Sequence, residues 1–180
     1  MKIHITGASG AGSTTLGIEL AAVLSCPYFD TDDYFWLPSE PPYTLRREPE
    51  LRNQMLIQDL SQQETFVLGG SVMKWDVEAV FDLVIFLYIP ADVRLERLKS
   101  RELSRYGEQI FTNPERIRLY HEFLNWASAY DDPQTRNSRS LYSHRLWLNS
   151  LPCEVLEIQG DTSVPERLQL IHEKLNQFSG

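Results

Sequence analysis

Apolar residues recur along this chain at two periods. Lys2–Thr6 alternates apolar and polar positions as a strand does, and Cys26–Phe29, Thr65–Leu68 and Glu154–Ile158 are further short strand-like segments. Leu83–Ile89 is continuously apolar and closes at Pro90, the pattern of a central parallel strand covered on both faces. Between these segments the spacing becomes helical. Helices are predicted over Thr14–Leu24, Glu50–Leu60, Ala91–Arg105, Pro114–Tyr130, Leu141–Leu148 and Val164–Phe178. Pro114 suits a first helical turn. In that same helix Leu119, Phe123, Trp126 and Tyr130 fall in phase and read as a core stripe. The aromatic, proline-rich stretch from Tyr34 to Tyr43 and the polar stretch from Asp131 to Ser140 read as loops. Strands alternating with helices predict an α/β fold with a parallel sheet and right-handed crossovers.

The junction between the first strand and the first helix carries the strongest chemical signal. It reads Gly7-Ala8-Ser9-Gly10-Ala11-Gly12-Ser13-Thr14-Thr15. Glycines let the backbone wrap a phosphate, and loop N–H groups and a helix N-terminus point at it. On the pattern G-x-x-x-x-G-K-[ST], Gly7 and Gly12 take the glycine positions and Thr14 keeps the hydroxyl used for Mg²⁺. Ser13 stands where the lysine is expected. Thr6–Gly12 is also close to the opening of NAD-dependent short-chain dehydrogenases, for which Asp30 would hold the ribose. No tyrosine is followed by lysine at the fourth position after it, so the catalytic pair of those enzymes is missing. A tight turn without a ligand is the third reading, and three glycines in six residues before a helix weigh against it.

Composition narrows the ligand. The net charge of −8 disfavours a nucleic acid polymer as partner. Yet Arg94–Arg145 holds nine Arg and one Lys against seven acids. Arg outnumbers Lys thirteen to four over the chain, and Arg is the better residue for planar, bidentate phosphate recognition. A locally basic segment in an acidic chain points to a small anionic ligand. The 180 residues suit a single domain, 1–180. No stretch is apolar enough to span a membrane, and the N-terminus lacks signal-peptide order, so the expectation is a cytoplasmic protein without a membrane partner. Cys26 and Cys153 have no metal spacing and read as small buried hydrophobes on the second and fifth strands, unbridged. His4, His121, His144 and His172 also lack metal spacing and read as structural or surface residues.

Parallel sheets place ligands beyond the carboxyl ends of their strands. Besides the glycine loop, two such ends carry useful groups: Asp30-Thr31-Asp32-Asp33 and Gly69-Gly70-Ser71. Two carboxylates one residue apart can divide labour, one organising Mg²⁺ and one accepting a proton from an attacking hydroxyl. The bland reading of the acidic cluster is a helix cap or a surface turn. Gly69-Gly70 either lets a substrate approach the backbone or simply ends a strand. Arg94, Arg97, Arg101 and Arg105 share one helix face, where like charges repel unless an anion relieves them. A solvated basic face is the competing reading.

In this order the motifs resemble the small-molecule kinases of the phosphate-loop superfamily, such as the shikimate, gluconate and nucleoside monophosphate (adenylate-type) kinases. The resemblance implies a three-layer α/β sandwich whose five-stranded parallel sheet has the order 2-3-1-4-5. It implies an acceptor-binding excursion over about 33–62 and a lid over about 99–140. It assigns ATP to residues Gly7 to Thr15 with Gly160 and Asp161, and Mg²⁺ to Thr14 and Asp30. Asp32 becomes the acceptor-side carboxylate, and Asp33, Gly69, Gly70 and Ser71 border the acceptor. Arg97 and Arg101 become lid arginines.

Two function classes follow. One is an ATP- and Mg²⁺-dependent kinase acting on a small nucleoside, nucleotide or polyol-type acceptor. The other is a nucleotide-binding sensor or partner without phosphotransfer, which would need neither the acidic cluster nor the arginines. For a kinase some cation must replace the loop lysine, and Arg97 and Arg101, with Lys74 as a lesser candidate, are placed to do so.

Overall fold

The computed structural model describes residues 1–77, 80–136 and 139–178. The chain-long domain and the 99–140 stretch expected from the sequence therefore include positions outside the described residues. The elements run β1 (Lys2–Gly7), α1 (Ser13–Leu24), β2 (Tyr28–Asp30), α2 (Thr31–Phe35), α3 (Pro49–Ser61), β3 (Phe66–Gly69), β4 (Leu83–Tyr88), α4 (Ala91–Tyr106), α5 (Gln109–Thr112), α6 (Pro114–Ser128), a 3₁₀ turn (Ala129–Asp131), α7 (Leu141–Ser150), β5 (Glu154–Gln159) and α8 (Val164–Asn176).

The five strands form one parallel sheet in the order β2-β3-β1-β4-β5. Alternation splits each central strand between two cores. Ile3, Ile5, Val67, Leu83, Ile85 and Leu87 meet α1 and α8 on one face. Phe66, Leu68, Val84 and Phe86 meet α3 and α7 on the other. His4, on this second face, is buried; its Nδ1–H donates to the Leu68 carbonyl (3.1 Å) and its ring stacks on Phe81. Burial holds its imidazole down at about 4, so it stays neutral.

Several expectations shift. The second strand begins at Tyr28 rather than Cys26, because Pro27 has no N–H to give the ladder, although its carbonyl still accepts from Val67. Cys26 and Cys153 are free, half-buried, and precede β2 and β5 instead of lying within them. The stretch from Thr31 to Phe35 is a short helix, not a loop, with the Asp30 carboxylate accepting from the Asp32 N–H at its N-cap. The aromatic stripe of α6 is not a core stripe: Trp126 is exposed, Leu119 and Phe123 are half-buried, and only Tyr130, beyond the helix end, is buried. Arg94 does not share a basic surface with Arg97, Arg101 and Arg105. It is 1% exposed, donates from Nε to the Ile89 carbonyl (3.0 Å), pairs with Asp131 and lies over the Tyr130 ring.

Candidate functional site

The glycine loop joins β1 to α1 at the carboxyl edge of the sheet, with Ala8 and Ala11 buried beneath it. The Ala11 N–H closes a turn on the Ala8 carbonyl (3.0 Å). Gly10 and Gly12 have φ of 84° and 90°, a region that L side chains rarely adopt, and Gly12 is the N-cap of α1. A Cβ on Gly10 would stand 2.8 Å from the Arg94 carbonyl. The glycines thus serve loop shape and close packing against α4. Ser13 opens α1 half-buried, and Thr14 and Thr15 follow exposed.

Asp30 is the hub beside the loop. One oxygen accepts from the Thr14 hydroxyl (3.0 Å) and the Tyr28 hydroxyl (2.8 Å); the other accepts from the Asp32 N–H (2.9 Å). Residues 14 and 30, separated in sequence, are thus brought within hydrogen-bond reach. Among the described residues no group of three or more His, Cys, Asp or Glu side chains could cage a metal. That donor set fits Mg²⁺, which keeps waters and binds through one or two protein oxygens plus substrate phosphates.

Asp32 lies two residues further on, in α2, and is exposed. Desolvation by the surrounding chain raises its carboxyl above the usual range, Asp30 raises it further, and Arg139, Arg101 and Arg105 oppose the shift. Arg101 and Arg105 therefore face the acidic cluster, while both also approach Glu102 (3.6 and 3.8 Å). Asp33 is exposed, with its carboxyl raised by partial burial and by Asp30. Asp32 and Asp33 border a cavity of about 370 Å³ that Trp36, Pro38, Tyr43 and Arg47 help to line. Arg105 lies over the Tyr43 ring at 3.9 Å, and the Arg47 Nε–H donates to the Tyr34 carbonyl (2.9 Å).

The glycine pair at the end of β3 has a different role from the one expected. A Cβ on Gly69 would overlap the Tyr28 hydroxyl, and one on Gly70 would overlap Thr31 Oγ1. The space is taken by the chain's own Tyr28 and Thr31, which hold the Asp30 segment in place, rather than left open for a substrate. Ser71 is buried and its N–H donates to Thr31 Oγ1 (3.2 Å), so it braces α2 instead of facing the cavity.

The arginines divide. Arg97 Nη1 donates to the Gly10 carbonyl (3.3 Å) and the guanidinium pairs with Asp161, which brings Asp161 and its neighbour Gly160 near the loop. Arg101 lies over the Phe123 ring and faces the acidic side. Lys74 is exposed at φ 65°, without a hydrogen bond or ion pair to the loop among the described residues. Three participants escaped the sequence reading. Tyr28 is one. Arg139, near Asp32, is the second. Arg167 on α8 is the third: it is 3% exposed, donates from Nη1 to the Ala11 carbonyl (3.1 Å) and from Nε to Thr162 Oγ1 (3.0 Å). No local pattern marked Arg139 or Arg167; the arginine excess was the only signal.

This sheet order and this loop define a member of the phosphate-loop small-molecule kinase superfamily. A family model, AAA domain, matches residues 3–118, more than half of the chain, and the chain belongs to that family. Uncharacterized protein YqaC of Bacillus subtilis is 41% identical over 178 residues, covering 97% of each chain. A shikimate kinase of Acinetobacter baylyi is 27% identical over 129 residues, covering 65% of this chain and 71% of its own length. Among solved structures, deoxyadenosine kinase from M. mycoides has a TM-score of 0.59 at 18% identity, covering 98% of this chain and all of its own (100%). Shikimate kinase from Bacteroides thetaiotaomicron has a TM-score of 0.55 at 20% identity and covers 98% of both chains. These two likenesses speak to the fold.

Proposed function

We propose that this protein is an ATP- and Mg²⁺-dependent phosphotransferase that phosphorylates a hydroxyl of a small metabolite of the nucleoside, nucleotide or polyol type. One observation carries the reading: Thr14, Asp30 and Asp32 form a bonded cluster at the glycine loop, and Asp32, which Arg101, Arg105 and Arg139 approach, borders the cavity. Thr14 and Asp30 would hold Mg²⁺, which when bound neutralises charge on the phosphates. The loop N–H groups from Gly7 to Thr15 hold the triphosphate, and Gly160 and Asp161 border the nucleotide. Asp32 accepts the proton of the acceptor hydroxyl as its oxygen attacks the γ-phosphorus. The bond to the β-bridging oxygen breaks and ADP leaves. The raised carboxyl of Asp32 suits a base, and transfer should fall as acid protonates it. Arg101, Arg105 and Arg139 favour an acceptor with a negative group, and Trp36 and Tyr43 offer ring surfaces beside it.

Ser13 supports a second reading, a nucleotide-binding sensor or partner, because the loop lacks the lysine that usually reaches the transferring phosphate. Phosphorus NMR of the protein with Mg–ATP and a panel of hydroxylated acids, nucleosides and nucleotides separates the two. A new phosphoester resonance that disappears in Asp32→Asn supports the kinase. ATP binding without any transfer across the panel supports the sensor.

A further inference from the structure

The loop has lost its lysine, but the structure surrounds it with cations from behind. We infer that Arg167 is a positioning residue that takes over part of the lysine's task through the backbone of the loop: it donates to the Ala11 carbonyl and thereby polarises the Gly12 N–H toward a bound phosphate. The inference rests on the nucleotide reading above.

Three observations carry it. A trans peptide sets its C=O and N–H in opposite directions, so a cation on the Ala11 carbonyl lies behind the Gly12 N–H. Arg167 Nη1 makes that contact at 3.1 Å and would stand 3.3 Å from a Cβ placed on Gly12. The Gly12 N–H donates to no protein group among the described residues, whereas the Ala11 N–H closes on Ala8. Arg97 on the Gly10 carbonyl therefore stiffens the turn, and Arg167 on the Ala11 carbonyl acts on the peptide whose donor is free. Finally, Arg167 is 3% exposed, yet its Nη2 has no hydrogen-bond partner. Asp161, the acid beside it, is already paired with Arg97. The two guanidiniums thus share one carboxylate, which leaves an excess of positive charge behind the loop. Linked hydrogen bonds strengthen one another, and a preoriented donor costs no reorganisation when charge arrives.

The test uses the phosphate ladder. Affinities for adenosine, AMP, ADP and ATP with Mg²⁺ are measured by calorimetry for wild type, Arg167→Gln and Arg167→Lys. The expected result is that Arg167→Gln weakens ATP about tenfold, the size of one charge-assisted interaction, while adenosine is unchanged and Arg167→Lys recovers most of the loss. Equal losses for all four ligands would mean a structural role, and no loss for ATP would mean no role; either overturns the inference while leaving the nucleotide reading intact. Wild type that binds none of the four overturns both. Should Arg167→Gln fail to unfold cooperatively, amide NMR of wild type and Arg167→Lys with inorganic triphosphate and Mg²⁺ decides. The Gly12 amide proton should move downfield in wild type and less in the variant, and an unmoved Gly12 amide in wild type contradicts the proposal.

Discussion

Tyr28 occupies the room left by Gly69, and this pairing can be measured. Gly69→Ala alone puts a methyl group into the Tyr28 hydroxyl. Overfilling a packed site costs about 1–3 kcal/mol. Gly69 is absent from the positive-φ glycines, so no backbone strain adds to this. Tyr28→Phe alone removes the 2.8 Å bond to Asp30, which keeps Thr14 and the Asp32 N–H. A hydrogen bond to a charged group is worth about 1.5–3 kcal/mol, and partial exposure sets the lower end here. In the double variant the hydroxyl is gone. The nearest Tyr28 ring carbon, 3.0 Å from the new methyl, needs only a few tenths of an ångström of relief. Alanine also regains some of the about 0.5–1 kcal/mol of entropy that glycine forfeits in a strand. Gly69→Ala should then cost less than about 1 kcal/mol, a coupling of about 1–2 kcal/mol in favour of the pair. Urea unfolding of the four proteins gives the cycle. Additivity within about 0.5 kcal/mol would refute the assignment of Gly69 to packing and reopen it as a substrate contact.

Other consequences follow from buried charge. Asp131→Ala should cost about 3 kcal/mol in urea unfolding, because among the described residues it leaves the Arg94 guanidinium, 1% exposed, with only the Ile89 carbonyl and the Tyr130 ring; a loss under about 1 kcal/mol would contradict the pair's role. His4 and His144 are held neutral, near about 4 and about 3. The unfolded chain takes up protons below about 6.5 while the folded chain does not, so stability should fall as pH drops from there toward those values. Each histidine contributes up to about 1.4 kcal/mol per pH unit in that window, and His4→Gln should lower the slope of the unfolding free energy against pH by about that amount; an unchanged slope would contradict the buried neutral His4. Arg101→Ala should lower phosphotransfer about 10²–10³-fold with the unfolding midpoint unchanged; turnover within about threefold of wild type would remove it from the reaction.

The sheet was readable because its signals are local. Ile3 and Ile5 alternate with His4 and Thr6, Leu83–Ile89 is uninterrupted, and Pro90 and Pro114 punctuate the helices. The loop and the Thr14–Asp30 meeting were readable for the same reason: both lie at strand ends that a parallel sheet brings together. Three things were not. The helix after Asp30 is five residues long and hangs on one side-chain cap, so Tyr34 and Phe35 read as the start of a loop. Gly69 and Gly70 looked open because nothing in their neighbourhood announces Tyr28 or Thr31, some 40 residues earlier. Arg167 reaches back 156 residues to Ala11, a contact made by the packing of α8 on the loop rather than by any motif. The α6 stripe failed in the opposite direction: α6 packs against α4 and α5, and helical phase alone does not show that Trp126 stays at the surface.

Whether this loop binds a nucleotide without its lysine decides the account. Calorimetry with Mg–ATP, and with NAD in a parallel titration, measures it directly. The backbone donors, Thr14 and the paired guanidiniums should give saturable binding of Mg–ATP, weakened when Mg²⁺ is withdrawn or Thr14 is changed to Val. No binding of ATP at millimolar concentration with Mg²⁺ present, or tight binding of NAD in its place, would contradict it.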